Sequence, residues 1–265
     1  LDKQFFLVSM EMKKVFQIGS KVFGQGAPKI CVPIVAESQE QIWKNAEKTS
    51  GLGTDLAEWR VDFYKDVLDA EKVAVTLKGV KKRLGDKALL FTFRTKGEGG
   101  CRAIAPGDYD RLNEMAALAG ADLVDVEAFF EEEQSAKRIK KIQAAGARVI
   151  ASCHDFQKTP AVEEMVMRLQ RMEELGADAV KLAVMPAKRQ DVLNLLQATL
   201  TAWERLSVPV VTMSMGDLGV ISRISGSLTG SAMTFAAAGA VSAPGQIPVE
   251  AVAEIQNFLN KETKM

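Results

Sequence analysis

His154 is the only histidine in the chain, and it stands in VIASCHDF, where an apolar run gives way to polar residues. An unperturbed imidazole has a pKa near 6.5, so it exchanges protons in either direction at neutral pH. Lys181 lies in the apolar stretch DAVKLAV between alanines that leave space beside its amine. A poorly solvated lysine near arginines loses proton affinity, and its neutral amine attacks a ketone or aldehyde to form a Schiff base. A salt bridge from Lys181 to Asp125 or Glu127 inside the fold is the competing reading. For His154 the alternatives are a satisfied core position, a metal ligand or an acid–base catalyst. With no second histidine and no metal-binding spacing in the chain, no metal site is expected. A cysteine–histidine nucleophile is disfavoured because Cys153 points to the opposite face of an extended segment. Acid–base work is favoured.

Other charged residues occupy similar places. Residues two apart on a strand share a face. The run DLAEWRV therefore sets Glu58 and Arg60 opposite Ala57, Trp59 and Val61, whose apolar side chains suit packing against helices. By the same logic Thr92 goes with Arg94, Asp125 with Glu127, and Ser152 with His154, while Lys181 goes with Ala179 and Ala183. Burying ionised groups costs several kcal/mol each unless they are paired. Charges gathered on one predicted inner face therefore mark a site, although any single one could snorkel into solvent from a strand end.

The segments after the strands add candidates. In RTKGEGG, Glu98 is placed to orient the imidazole, and the glycines give the segment mobility. The small-residue stretch AAAGAVSAPGQIP offers Ser242 and Gln246 as hydrogen-bonding groups and reads as a lid over a polar ligand. Arg223, in GVISRISG, has the forked donors that suit a carboxylate. Met213 and Met215 share a face with Val211, and pattern alone allows that face to point inward or outward.

The elements that must position these residues alternate. Short apolar runs (KICVPIV, DLAEWRV, ALLFTF, ADLVDVE, RVIASC, DAVKLAV, PVVTMSM and, more weakly, SLTGSAMTF) are separated by segments of helical periodicity such as Gln39 to Thr49, Glu163 to Leu175 and Ala187 to Leu206. Glycine follows several helices, at Ala119-Gly120, Ala145-Gly146 and Leu175-Gly176, as a left-handed cap requires. Roughly eight strand–helix units in a row fit an α/β fold, a (β/α)8 TIM barrel, whose chemistry sits at the C-terminal ends of the strands. An open doubly wound sheet is the runner-up, but no G-x-G-x-x-G follows the first strand. The stretch KKVFQIGSKVFGQGAPK alternates around Gly19 and predicts a short hairpin. The expected organisation is one domain over 1–265, with a peripheral extension at 1–12, the hairpin at 13–28 and the barrel at 29–265.

The 265 residues, 47% of them hydrophobic, suffice for one large core. Lys plus Arg and Asp plus Glu both total 34, so no polyanion-binding surface and no nucleic-acid partner is expected. The three cysteines show no regular spacing, and reduced thiols in a cytosol are expected. No apolar run approaches the roughly 20 residues of a membrane helix, so no membrane partner is expected either.

Taken in order, EWRVDF, FTFRTKGEGG, ASCHDF, AVKLAVMP, TMSMGDLGVISR and GSAMTFAAAGAVSAPGQ resemble the type I 3-dehydroquinate dehydratases, the Schiff-base dehydroquinases of the shikimate pathway. The resemblance runs from about Pro28 to the C-terminus. It implies that Lys181 forms an imine with the C3 ketone of 3-dehydroquinate. It further implies that His154 takes the C2 proton and returns one to the departing C1 hydroxyl in a syn elimination, with Glu98 holding the imidazole. Arg223 is expected on the substrate carboxylate, with Ser242 and Gln246 in the lid. Glu58, Arg60 and Arg94 would bind the ring hydroxyls, and Met213, Met215 and Phe235 would line the ring, which turns the methionines inward. The resemblance also implies no cofactor, commonly a homodimer, and a hairpin plugging the barrel bottom. Many members carry serine on the first strand where this chain has Pro33. A class I aldolase on the same barrel, and a non-catalytic carboxylate-binding barrel, are the alternatives.

Overall fold

The computed structural model describes residues 15–19, 21–239 and 245–262, with the side chains of 260–262 left aside. The extension expected at 1–12, the start of the hairpin and Ser242 lie outside the described residues. Strands β1 (Phe16–Ile18) and β2 (Lys21–Phe23) form the expected antiparallel hairpin, Phe16 opposite Phe23.

A parallel sheet follows, built from β3 (Lys29–Ile34), β4 (Leu56–Arg60), β5 (Ala88–Thr92), β6 (Leu123–Glu127), β7 (Arg148–Asp155), β8 (Ala179–Val184), β9 (Val210–Ser214) and β10 (Met233–Phe235). The strands pair in the order β10-β3-β4-β5-β6-β7-β8-β9. Between β9 and β10 the barrel is drawn together by a bridge between Val210 and Ser231, with the Ala232 amide donating to the Val210 carbonyl at 2.7 Å. This is the (β/α)8 architecture the alternation predicts.

Long helices cover the outside: α1 (Gln39–Ser50), α2 (Ala70–Leu84), α3 (Pro106–Leu118), α4 (Glu132–Ala144), α5 (Val162–Glu174) and α6 (Arg189–Arg205). The short α7 (Val220–Ile224) and α8 (Gly226–Thr229) and the longer α9 (Val249–Glu262) complete the layer. Strands β6, β7 and β8 each start just after a helix that ends at a left-handed glycine. Gly120, Gly146 and Gly176 take φ of +100°, +103° and +93°, a region that costs an L-residue Cβ repulsion.

Two apolar regions result from the strand alternation. Outward residues such as Trp59, Phe91, Val126 and Leu182 pack under the helices, with Trp59 edge-on to Phe91 at 5.6 Å. Inward residues Leu56, Ala88, Leu123, Ile150 and Ala179 fill the lower barrel, where the stacked rings of Phe16 and Phe23, 4.9 Å apart, close the bottom. Burying each such large side chain contributes about 1.5–3 kcal/mol. Stability is therefore supplied below, and the upper ends of the strands are left to polar groups.

Pro33 sits on β3 without breaking it. Backbone groups alternate sides along a strand, and the Cys31 carbonyl accepts from Ala236 on the β10 side, so the Pro33 nitrogen faces that side too. The β3–β10 register ends at Cys31 and Phe235, so the missing N–H falls past the end of the ladder.

Candidate active site

Lys181 is on β8, paired across the barrel wall with Ser152 of β7 and Val211 of β9. Only 3% of it is exposed. Its Nζ is 3.1 Å from Asp125 Oδ2, 3.8 Å from Glu58 Oε1 and 4.6 Å from the centre of the Phe235 ring. The ion pair to Asp125 that the sequence allowed is thus present, but it lies at the wall of a cavity rather than in a closed core. Asp125 is fully buried. Its Oδ1 accepts from Ser152 Oγ at 2.6 Å, and its Oδ2 also lies 2.8 Å from Arg94 Nη2. Burial alone would raise this carboxyl, but Arg94 and Lys181 outweigh it and hold Asp125 well below the ordinary carboxylate range.

His154 follows two residues after Ser152 on the same inward face. Glu98, in the turn after β5, places Oε2 at 2.8 Å from His154 Nδ1 and 3.0 Å from the His154 backbone N–H. Because that oxygen accepts the backbone N–H, the compatible tautomer puts a proton on Nδ1, donated to Glu98, and leaves Nε2 able to accept. Burial, with the charge of Glu127, pushes the Glu98 carboxyl up to about 8. Burial, with the charges of Arg94 and Lys181, holds the imidazole well below 6.5.

The arginines are positioned by carboxylates. Arg60, at the end of β4, makes a bidentate pair with Asp62, at 2.8 and 2.9 Å. Asp62 is itself fully buried and accepts the backbone N–H of Arg94 at 3.4 Å and of Cys101 at 3.2 Å, tying β4 to both ends of the Glu98 turn. Arg94 spans Asp125, Glu127 (3.0 Å) and Ser152 (3.0 Å). Its donors are thus directed into the barrel wall as much as toward the opening. Glu58 accepts from Thr92 Oγ1 at 2.9 Å. Arg223, on α7, is 2% exposed, and burial brings its guanidinium down to about 10.

These side chains line one cavity of about 200 Å³. Glu58, Arg60, Arg94, Glu98, His154, Lys181, Met213, Met215, Arg223, Phe235 and Gln246 all face it. Of the candidates named from sequence, only Ser242 lies outside the described residues. Among the described residues no cluster of His, Cys, Asp and Glu is arranged to hold a metal ion.

A family model for type I 3-dehydroquinase matches residues 30–263. The chain belongs to the type I 3-dehydroquinase family. A 3-dehydroquinate dehydratase of Listeria welshimeri is 47% identical over 252 residues, 95% of this chain and all of that one. The type I 3-dehydroquinate dehydratase of Clostridium difficile, solved with covalently modified comenic acid, superposes with a TM-score of 0.91 at 42% identity, covering 95% of this chain and 99% of that one. The Geobacillus kaustophilus 3-dehydroquinate dehydratase gives 0.92 at 36% identity, covering 95% and 98%.

The cavity also holds residues that the sequence reading did not place in the site. Phe156 and Gly99 line it, with the edge of the Phe156 ring against the Gly99 backbone. Asp62 and Asp125 hold the arginines and the lysine from behind. Asp125 was visible on the inner face by alternation. Asp62 lies in a turn beyond the end of β4, where period-two reasoning stops.

Proposed function

We propose that this chain, a member of the type I 3-dehydroquinase family, dehydrates 3-dehydroquinate to 3-dehydroshikimate through an imine on Lys181, as a step of the shikimate pathway. Lys181, entering overall as R–NH3⁺, condenses with the C3 ketone with loss of one water, and the resulting iminium makes the C2 proton acidic. Nε2 of His154 takes that proton, giving an enamine. It then returns a proton to the C1 hydroxyl, which leaves as water while the electron pair reforms a conjugated iminium. Hydrolysis consumes a water and frees the lysine and the enone.

The remaining residues take supporting roles. Glu98 fixes the tautomer and orientation of the imidazole. Arg223 binds the substrate carboxylate, and Gln246, with Ser242, closes over it. Glu58 and Arg60 meet the ring hydroxyls. Arg94 reaches the hydroxyl side of the cavity while neutralising Asp125 and Glu127, and Met213, Met215 and Phe235 give the ring its apolar walls.

The observation that carries this reading is a buried lysine facing the same cavity as a single imidazole, whose Nδ1 is taken by Glu98 at 2.8 Å. The covalently modified ligand of the Clostridium difficile relative supports covalent chemistry in such a site. The test is intact mass after incubation with 3-dehydroquinate and borohydride, followed by peptide mapping. A reduced-ligand adduct on Lys181 is expected. Unmodified protein that still dehydrates the substrate would overturn the imine.

A further inference from the structure

Forming an imine from a protonated lysine conserves charge at one atom. R–NH3⁺ and a ketone give R–NH⁺=C and one water, so Nζ is cationic both before the substrate reacts and while the C2 proton is drawn off. When that proton leaves, the nitrogen becomes the neutral enamine nitrogen. When the C1 hydroxyl departs with a proton from His154, nitrogen becomes cationic again. Something beside Nζ must therefore make the cation the favoured form without forming a bond that stops the amine from attacking.

The carboxylate of Asp125 occupies that place. Its Oδ2 is 3.1 Å from Nζ, closer than Glu58 at 3.8 Å, and it is fully buried where Glu58 is 4% exposed. It cannot swing away. Ser152 holds Oδ1 at 2.6 Å, and Arg94 holds Oδ2 at 2.8 Å. Arg94 does not cancel it, because the same guanidinium is shared with Glu127 at 3.0 Å. The other groups described around the amine leave this role unfilled. From β3 comes the buried Cys31 thiol, from β4 Glu58 and Arg60, from β5 Arg94 with Glu127 of β6 behind it, from β7 Ser152 and His154, from β9 Met213, from α7 Arg223, and from β10 the ring of Phe235. His154 is engaged by Glu98, and Glu127 accepts from the Thr95 backbone and hydroxyl, both at 2.7 Å.

We propose that Asp125 is a further catalytic group of this enzyme, the fixed counter-ion that keeps the Lys181 imine protonated and draws the enamine back to the iminium as the C1 hydroxyl leaves. The role rests on the imine reading above. It carries a signature that a structural role lacks. An opposite charge at this distance shifts a neighbouring pKa by about one to three units. Without it the iminium loses its proton at lower pH, and it ceases to be an electron sink at lower pH.

The experiment follows the rate at which cyanoborohydride, which delivers hydride to the protonated imine, traps the 3-dehydroquinate adduct on Lys181 as a function of pH. In Asp125→Asn the alkaline limb of this profile should move down by about one to three pH units, and Asp125→Glu should bring it back. An alkaline limb that stays in place while only the yield falls would assign Asp125 a structural role and overturn the proposal. The wild-type protein supplies a second reading if the asparagine variant does not fold. Its alkaline limb should lie above that of the imine formed by the same ketone with a free lysine peptide, and coincidence of the two would equally overturn the proposal. Wild-type protein giving no adduct at any pH would remove the imine itself, an outcome distinct from an adduct whose pH limits ignore Asp125.

Discussion

Gly99 is the residue whose replacement tests how tightly the Glu98 turn must be held. It takes φ of +84°, and a Cβ built on it would stand 2.4 Å from Phe156 Cε2 and 2.5 Å from Cζ. Ordinary contact begins near 3.4 Å, so Gly99→Ala demands a retreat of roughly 1 Å by the ring or by the backbone. The left-handed backbone adds about 1–2 kcal/mol for any residue with a Cβ, so the turn itself is pushed as well as the ring. Glu98 is the preceding residue, and its carboxyl lies 2.8 Å from His154 Nδ1. A shift of that size stretches the contact past hydrogen-bonding distance, and misplacing a catalytic group by about 1 Å costs on the order of 100-fold in rate. The expected outcome for Gly99→Ala is a folded protein melting a few degrees lower, about 2–4 °C per kcal/mol at this size, with kcat reduced by about 10- to 100-fold. Steady-state turnover is read from the absorbance of the conjugated product. Removing the ring in Gly99→Ala/Phe156→Ala should leave the double variant closer to Phe156→Ala alone than additivity allows. Wild-type kcat in Gly99→Ala, or strictly additive losses in the double variant, would refute the idea that this contact sets the position of Glu98.

Three further outcomes follow from the same geometry. His154→Ala should lower turnover by about 10²- to 10⁴-fold, the usual worth of a general acid–base group, while still allowing borohydride to trap some adduct on Lys181; undiminished turnover would contradict the assigned role. Gln246→Ala should raise KM with little change in kcat, because its side chain lines the cavity and is proposed to hold the substrate; a slower chemical step at unchanged KM would be inconsistent with that. As the chain's only histidine, His154 can be followed by NMR without ambiguity. Its imidazole, held below 6.5 by burial and by Arg94 and Lys181, should stay neutral as pH falls through 6.5. By linkage, its contribution to stability is present above 6.5 and is lost as pH falls toward the folded pKa. A midpoint at or above 6.5 would show that the surrounding cations do not act on it as argued.

The alternation of residues was enough to orient most of the barrel mouth. Glu58 and Arg60 opposite Trp59, and Lys181 between Ala179 and Ala183, could point only inward once the large apolar residues were given to the helices. The methionines resisted this logic for a physical reason. On β9 the residues facing the helices include Thr212, polar by type, which meets Thr199 of α6 with the two hydroxyl oxygens 2.6 Å apart. Ser214 on the same face has its backbone N–H satisfied by Ser222 of α7 at 2.9 Å. An outer face carrying polar residues looks, in one dimension, like an inner face, and only the packing of Met213 and Met215 against Phe235 decides it. Asp62 was illegible because its two long-range partners, Arg94 and Cys101, are joined to it by a turn whose shape no periodicity encodes. The directions taken by the Arg94 donors depend on Glu127 and Ser152 from two neighbouring strands, a matter of register across the sheet rather than of spacing along the chain.

The division of the barrel interior also explains how so many charged groups are tolerated. Arg60, Arg94 and Lys181 each lie within 3.1 Å of a carboxylate, of Asp62, Asp125 or Glu127. Breaking any one such buried pair would leave an uncompensated charge at a cost of about 3–5 kcal/mol. That penalty is why the pairs are stable as a set even though none adds much to folding by itself. The apolar floor of Phe16, Phe23, Leu56, Leu123 and Ile150 supplies the stability that the mouth does not. Pairing Arg60, Arg94 and Lys181 to wall-mounted carboxylates has a second effect: these side chains are held in place beforehand, so on the proposed mechanism little reorganisation remains when charge moves from the lysine nitrogen to the ring and back. On the proposed mechanism the carboxylates behind the cavity, Asp62 and Asp125 above all, serve the reaction through the cations they hold, so variants that preserve their shape but not their charge should lose turnover.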